Sequence, residues 1–322
     1  MPIIGIYANY LQDTHKRQIE EAIAGSDYTI RYFQDARELE EGISSCEVLY
    51  GYYPAPLLKQ AESLRWLATA SAGVDTYLSD AVYAHPDQVT LTNSAGSYGI
   101  TISEHMIMMI LMLMRRQMEY IEVTRARQWK NVGAVRSICG SRITIVGTGD
   151  IGTNLARRVK ALGAAHVCGV RRTQKAADPA FDQVTTLEHL AEAVQEADVV
   201  ALCVPATQAT QGLLSREIIA QLSPKTFVVN VGRGSAIDQP ALVEALNAGR
   251  IAGAALDVMT PEPLPADDPL YDAHNVILTP HISGNMSLGL TCDINVAMFC
   301  ENLKRYLAGQ PLMHVVDRSI GY

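Results

Sequence analysis

RITIVGTGDIG, Arg142–Gly152, is the stretch on which the fold turns. A short apolar run enters three glycines spaced GxGxxG, at 147, 149 and 152, and a helix-like segment, NLARRVKALG, follows. Strand, tight turn and helix in that order make the phosphate-binding corner of a doubly wound α/β domain. Gly147 permits the turn, Gly149 lets a pyrophosphate approach the backbone, and Gly152 lets helix and strand pack closely. The phosphate then lies at the positive end of the helix. Among 23 glycines a lone GxGxxG means little; its place between a strand and a helix gives it weight.

About twenty residues on, HVCGVRRT (His166–Thr173) closes the next strand-like run. A site for NAD wants an acidic residue here to hold a ribose hydroxyl. The chain has Arg171 and Arg172 instead. A carboxylate would repel the extra phosphate of NADP, whereas a guanidinium fork binds it bidentately, and Thr173 adds a hydroxyl donor. The bland alternative is a solvated strand end. The preference expected is NADP, with NAD possible.

Further out, the segments alternate between strand-like and helix-like, as in parallel α/β architecture. Six apolar runs form the second series: Arg142–Gly147, His166–Arg171, Asp198–Pro205, Thr226–Gly232, Ile251–Val258 and Asn275–His281. Continuous apolar runs suit strands covered on both faces. An earlier series comprises Ile3–Ala8, Glu47–Tyr53, Arg65–Ala72 and Val89–Asn93. A long helix is expected from about Ser103, its start cap, to Arg127, buried through its first half. A last helix, about Ser287–Leu307, must pack on the first series. The expected organisation is therefore a cofactor domain, residues 102–288, inserted into a discontinuous domain of residues 1–101 plus 289–322.

The chain has 322 residues, 48% hydrophobic, with a formal net charge of −8. That is ample for two cores, and an acidic chain without a basic block argues against nucleic acid. Six cysteines show no CxxC and no metal spacing, which favours a reduced, cytoplasmic setting. MPIIGIYANY lacks the pattern of a signal peptide. The longest apolar run, Met106–Met114, is too short to span a membrane and is closed by Arg115 and Arg116.

Three strand-end motifs carry chemistry. NVGRGS sets Arg233 between glycines just after a strand, where ligands of open α/β sheets bind; it could grip a carboxylate and polarise a neighbouring carbonyl. LDVMTPEPLP carries Asp257, and Glu262 bracketed by Pro261 and Pro263, which exclude helix. LTPHISG ends a strand at His281. Taken together, His281 would give a proton to a carbonyl oxygen, Glu262 would hold its other ring nitrogen, and Arg233 would hold the substrate. Singly, each reads as easily as a structural or solvated residue.

With these motifs in order, the chain resembles the D-isomer-specific 2-hydroxyacid dehydrogenase family, which includes glyoxylate/hydroxypyruvate reductases. The similarity runs over essentially the whole chain, from SAGVD (Ser71–Asp75) and SEH (Ser103–His105) through VGTGDIG and ADVVALCVPAT to VNVGRGS, PEPLP and LTPHISG. It implies a Rossmann cofactor domain inserted into a flavodoxin-like α/β substrate domain. It implies Arg233, Glu262 and His281 as the catalytic trio, and Ala72, Gly73 and Val74 as a carboxylate-binding turn. Cofactor phosphates would meet Gly149, Asp150 and Ile151. The nicotinamide would lie near Val231, Asp257 and Gly284, and Val204, Pro205, Gly232 and Ser283 are further cofactor-binding candidates. The segment Ser103–Arg127 resembles a dimerisation helix. GYYP (Gly51–Pro54) falls where the family's substrate pocket tends to be, so Tyr52 and Tyr53 are pocket candidates, with a surface or core pair the alternative. Two departures stand out: many members have Asp where Arg171 stands, and many read VFEPEP where this chain reads VMTPEP. A small 2-oxo acid substrate and a homodimer are expected. A nucleotide-sensing corepressor-like protein and a formate- or phosphite-type dehydrogenase are the competing readings on the same fold.

Overall fold

The computed structural model describes residues 1–173 and 178–322. They divide into two compact units, one formed by Met1–Tyr98 with Asn285–Tyr322 and the other by Gly99–Gly284.

In the first unit, β1 (Ile3–Tyr7), β2 (Thr29–Tyr32), β3 (Cys46–Gly51), β4 (Trp66–Thr69) and β5 (Thr90–Thr92) pair in parallel in the order β2-β1-β3-β4-β5. That is the flavodoxin-like order, whose direction reverses between β1 and β3. Helix α1 (Asp13–Ala22) packs beside the C-terminal Gly289–Leu307 helix. One core lies under that helix, where Phe299 stacks on Tyr50 with ring centroids 4.0 Å apart. A second core on the opposite face gathers Leu39, Ile43, Leu58 and Leu67 beside the short helix α2 (Ala36–Gly42). Strand β2 was not among the expected strands. It is an edge strand whose residues alternate exposed and half-buried, so it carries no apolar run.

The second unit opens with helices α3 (Gly99–Met114) and α4 (Gln117–Arg125). A single helix from Ser103 was expected, and the structure corrects it twice. The helix starts earlier: Ser103 is fully buried inside it, and its hydroxyl donates to the Ile100 carbonyl 3.0 Å away. It also breaks at Arg116, which is left-handed at φ 56°, while the Met114 carbonyl accepts from the Arg136 N–H of the returning chain.

Among the described residues seven parallel strands follow, not the six expected: β6 (Arg142–Val146), β7 (His166–Arg171), β8 (Gln183–Thr186), β9 (Val199–Leu202), β10 (Phe227–Asn230), β11 (Gly253–Leu256) and β12 (Val276–Leu278). Their order is β12-β11-β10-β9-β6-β7-β8, so the winding reverses between β6 and β9. The missed strand, β8, is a polar QVTT at the sheet edge that buries no residue fully. Helix α5 (Asp150–Ala161) follows β6, α6 (Leu190–Gln195) precedes β9, α7 (Arg216–Ile219) precedes β10, and α8 (Gln239–Asn247) joins β10 to β11. Helix α3 packs on α5 and against β10 and β11, and its Met106, Met109, Ile110 and Leu113 are buried. The C-terminal helix of the first unit completes the series as α9 (Gly289–Leu307). Among the described residues no helix is long and apolar enough to cross a membrane.

Candidate active site

The glycine turn sits where the sheet order reverses, at the carboxyl end of β6. Gly147 is at φ 100°, and a Cβ there would come 2.6 Å from the Cys203 carbonyl oxygen. A Cβ on Gly152 would lie 1.9 Å from the Gly147 oxygen, so α5 can meet the turn only without one. Gly149, the N-cap of α5, differs: a Cβ on it would meet nothing within 4 Å. Two glycines are required by the protein's own packing, while the middle one faces open space at the positive end of a helix, a cradle that fits a pyrophosphate. Asp150 and Ile151 form the first turn of α5. The Asp150 carboxylate accepts from Asn154 Nδ2 at 2.9 Å, which holds its charge within the helix turn.

The neighbouring strand brings the arginines to this corner. Gly147 N–H donates to the Val170 carbonyl at 2.8 Å, so Arg171, the last residue of β7, stands beside the glycine turn. Arg172 and Thr173 follow, both exposed. Beyond β9, Val204 is buried and Pro205 exposed; the Pro205 carbonyl accepts from Thr210 Oγ1 at 2.6 Å. Gly232 approaches this segment so closely that a Cβ would sit 2.5 Å from the Val204 oxygen.

Arg233 follows β10 on a pinned loop. Buried Asn230 accepts from Gly232 N–H at 3.0 Å and donates to the Arg233 carbonyl at 2.9 Å. Gly234 then passes so near Met259 that a side chain would collide with its backbone. The Arg233 guanidinium donates to the Gly232 carbonyl at 2.8 Å, and the side chain is partly exposed. Val231, before it, is buried.

Asp257, fully buried at the end of β11, organises the histidine loop. One carboxylate oxygen accepts from Thr279 Oγ1 at 2.6 Å and Ile282 N–H at 2.9 Å, and the other from the N–H and hydroxyl of Ser283. Burial alone would raise its pKa; the hydrogen bonds from Ser283, Thr279 and the two backbone N–H groups outweigh it and hold the carboxylate below its ordinary value. Asp257 is thus a buried anchor whose oxygens are engaged by its own loop. The same anchor reaches a residue the sequence reading left without a role. His105 Nε2 lies 3.2 Å from Thr279 Oγ1, and burial lowers its pKa, leaving it neutral. The Thr279 proton goes to Asp257, so its oxygen accepts from His105 Nε2–H. The spacing of SEH carries no signal for this link, because 174 residues separate the partners.

The anchor presents His281. Its backbone N–H donates to the Asp257 carbonyl at 2.8 Å, and it adopts φ 52°, a left-handed conformation uncommon for a side-chain-bearing residue and frequent at functional sites. Nδ1 lies 2.7 Å from one Glu262 oxygen, while the other oxygen accepts from Met259 N–H at 3.0 Å. Both side chains are partly open to solvent. With Nδ1 turned to a carboxylate, Nε2 is the nitrogen left for a substrate. Ser283 is buried in the same loop and Gly284, partly exposed, ends the unit.

In the first unit, the turn after β4 is stiffened by Ser71 Oγ donating to the Gly73 carbonyl at 2.7 Å and Asn93 Nδ2 to the Ala72 carbonyl at 3.1 Å. Ala72 and Gly73 are half-buried, and Val74 enters the core. The tyrosine pair splits. Tyr52 is 40% exposed and shares a hydrogen bond with Tyr98 at 2.9 Å. Tyr53 is 4% exposed and its hydroxyl donates to the Gly5 carbonyl at 2.9 Å. The pocket expectation for Tyr53 is therefore corrected: it is a core residue, its ring packed in the cluster of Leu49, Leu58 and Tyr77 and its carbonyl accepting from the Tyr77 hydroxyl at 2.7 Å.

A glycine cradle at a sheet reversal, and a histidine–carboxylate pair with an arginine on neighbouring strand ends, define the class: a nucleotide-dependent oxidoreductase. Comparison with known proteins makes this specific. Residues 107–283 match the family model of the D-isomer specific 2-hydroxyacid dehydrogenase, NAD binding domain. The chain is 33% identical over 264 residues to the D-3-phosphoglycerate dehydrogenase of Bacillus subtilis, covering 81% of this chain but only 49% of that longer protein. It is 33% identical over 271 residues to glyoxylate/hydroxypyruvate reductase B of Pectobacterium atrosepticum, covering 82% of each. Among solved structures, the D-isomer specific 2-hydroxyacid dehydrogenase of Xanthobacter autotrophicus in complex with NADPH and MES is 26% identical, with a TM-score of 0.81 over 100% of this chain and 99% of that one. The chain belongs to the D-isomer specific 2-hydroxyacid dehydrogenase family. It is an NAD(P)-dependent enzyme interconverting a small 2-oxo acid and its 2-hydroxy acid.

Proposed function

We propose that this enzyme reduces a 2-oxo acid of the glyoxylate, hydroxypyruvate and pyruvate class to the D-2-hydroxy acid, and that it prefers NADPH to NADH. The observation that carries the cofactor preference is the 2.8 Å bond from Gly147 to Val170, which sets Arg171 beside the phosphate cradle with Arg172 and Thr173 next in line. Arginines bind phosphate through charge-assisted forks, and an acid in their place would repel it. The NADPH-bound relative and the reductase relative support the same reading.

The bound nicotinamide supplies the hydride. His281, its Nδ1 held by Glu262, gives the proton from Nε2 to the C2 oxygen. Arg233 binds the substrate carboxylate and polarises the carbonyl. In the first unit, the backbone turn of Ala72, Gly73 and Val74 is itself a candidate carboxylate-binding turn. Gly149, Asp150 and Ile151 would hold the cofactor phosphates, Val231 and Gly284 would lie near its nicotinamide, and Val204, Pro205, Gly232 and Ser283 would complete the cofactor contacts. Two copies of the chain pair through α3 and α4, where Met108, Leu111 and Met118 stay exposed and Trp129 beyond them is fully so.

Steady-state kinetics with both nicotinamides test the preference. Arg171→Asp with Arg172→Ala should lower kcat/KM for NADPH by roughly tenfold to a hundredfold per lost charge-assisted bond and leave NADH less affected. An unchanged NADPH/NADH ratio overturns the clamp. A wild-type enzyme that oxidises neither cofactor with glyoxylate, hydroxypyruvate or pyruvate overturns the substrate class.

A further inference from the structure

We infer that His105 is a positioning residue for the proton donor: one face of α3, carrying Thr101 and His105, brackets the loop that bears His281 and fixes where its ring stands. This rests on the reading of His281 as the acid of a 2-oxo acid reduction. Two contacts from successive turns of one helix carry it. His105 Nε2 lies 3.2 Å from Thr279 Oγ1, and Thr101 Oγ1 lies 3.5 Å from the Ser283 carbonyl oxygen. Residues four apart on a helix share a face, so both contacts leave the same side of α3. One falls two residues before His281 and the other two residues after it.

Proton direction shows what the stronger contact does. A carboxylate only accepts, so the Thr279 hydroxyl gives its single proton to Asp257 at 2.6 Å. Its oxygen then needs a donor from elsewhere, and His105 Nε2–H is placed to supply it. With both bonds made, the Thr279 side chain has one rotamer. Burial lowers the His105 pKa, and the Asp257 carboxylate 4.0 Å away only partly opposes this, so the donor is neutral. A neutral donor orients the hydroxyl without adding a cation beside a fully buried carboxylate. Take His105 away and Thr279 is free to turn. Asp257 then keeps only Ile282 N–H and the two donors of Ser283, all on the far side of His281. The approach to His281 loses its hold, although the His281 N–H itself leans on the Asp257 and Thr279 carbonyls, at 2.8 and 3.0 Å. A left-handed backbone of φ 52° persists only where neighbours over-determine it. Proton transfer is steep in geometry, so a small drift of the ring is costly.

Amide hydrogen exchange and steady-state kinetics on His105→Leu and His105→Gln test this. Gln sets an amide donor near the place of Nε2, whereas Leu fills the space without one. In His105→Leu, exchange at Ile282 and Ser283 should quicken by about three- to tenfold, the range of one neutral hydrogen bond, with α3 amides unchanged. kcat should fall by about the same factor while KM holds for both substrates. His105→Gln should restore most of each loss. If His105→Leu does not fold, His105→Asn, whose amide is too short to reach Thr279, replaces it with the same expectations. Wild-type exchange at Ile282 and Ser283 in the Leu or Asn variant overturns the inference. So does a Gln variant no better than Leu, or quickened exchange spread through α3, either of which marks a packing role. If no 2-oxo acid turns over, the catalytic reading has failed, and the exchange rates alone decide whether His105 holds the loop.

Discussion

At the scale of single residues, the site depends on how one carboxylate holds another residue's backbone. Asp257 binds the loop that carries His281, and Glu262 binds the ring. They predict different outcomes. His281→Ala should lower kcat by about a hundredfold or more with little change in KM, since a general acid acts in the transition state; a raised KM with kcat intact would make it a binding residue. Asp257→Asn should destabilise the fold by roughly 1–3 kcal/mol at neutral pH, because the amide turns a donor toward donors. The sign with pH follows from the depressed carboxylate. Its stabilisation is present above the unfolded pKa of about 4 and is lost as pH falls through the lower folded value, so the gap between variant and wild type should narrow in acid. Thermal melts from pH 7 to pH 3 check it; a constant gap would mean the charge is not what the loop needs. His281 and Glu262 were legible because their prolines and strand ends mark them. The link from His105 through Thr279 to Asp257 was not, since it joins residues remote in sequence whose types suit many roles.

Elements show why a motif can be read and its surroundings misjudged. The glycine turn predicts two separable effects. Gly152→Ala should disrupt folding, because its Cβ would meet backbone at 1.9 Å. Gly149→Ala should leave the melting temperature nearly unchanged, yet weaken nicotinamide binding at least tenfold, since a methyl would occupy only the open space over the turn. Melting curves with cofactor titrations by fluorescence separate the two, and a Gly149 variant that binds cofactor normally would remove the phosphate from this turn. Buried strands were legible as continuous apolar runs. The edge strands β2 and β8 were not: β2 alternates, but over only four residues, and β8 shows neither an apolar run nor an alternation. The break at Arg116 was equally hidden. A left-handed arginine has no local signature, and the Arg136 N–H that takes the Met114 carbonyl is twenty-two residues away in sequence.

For the whole molecule, the proposed pairing predicts that Met108→Arg with Leu111→Arg yields a monomer by analytical ultracentrifugation; a wild type that sediments as a monomer would refute it. Each unit's strand order sets where its ligands can bind, at β6/β9 in one and β1/β3 in the other. The amino-acid sequence by itself determined the class of fold, the glycine turn between strand and helix, the arginine pair and the order of the candidate catalytic motifs. Those features are written in local physics: glycine spacing, apolar runs covered on two faces, and charge at a strand end. Tertiary structure alone decided which tyrosine is core and which is surface, that Asp257 anchors the histidine loop, and that His105 bonds to Thr279. Burial and hydrogen-bond direction depend on neighbours that the fold brings together from distant positions, and no short window of sequence contains them.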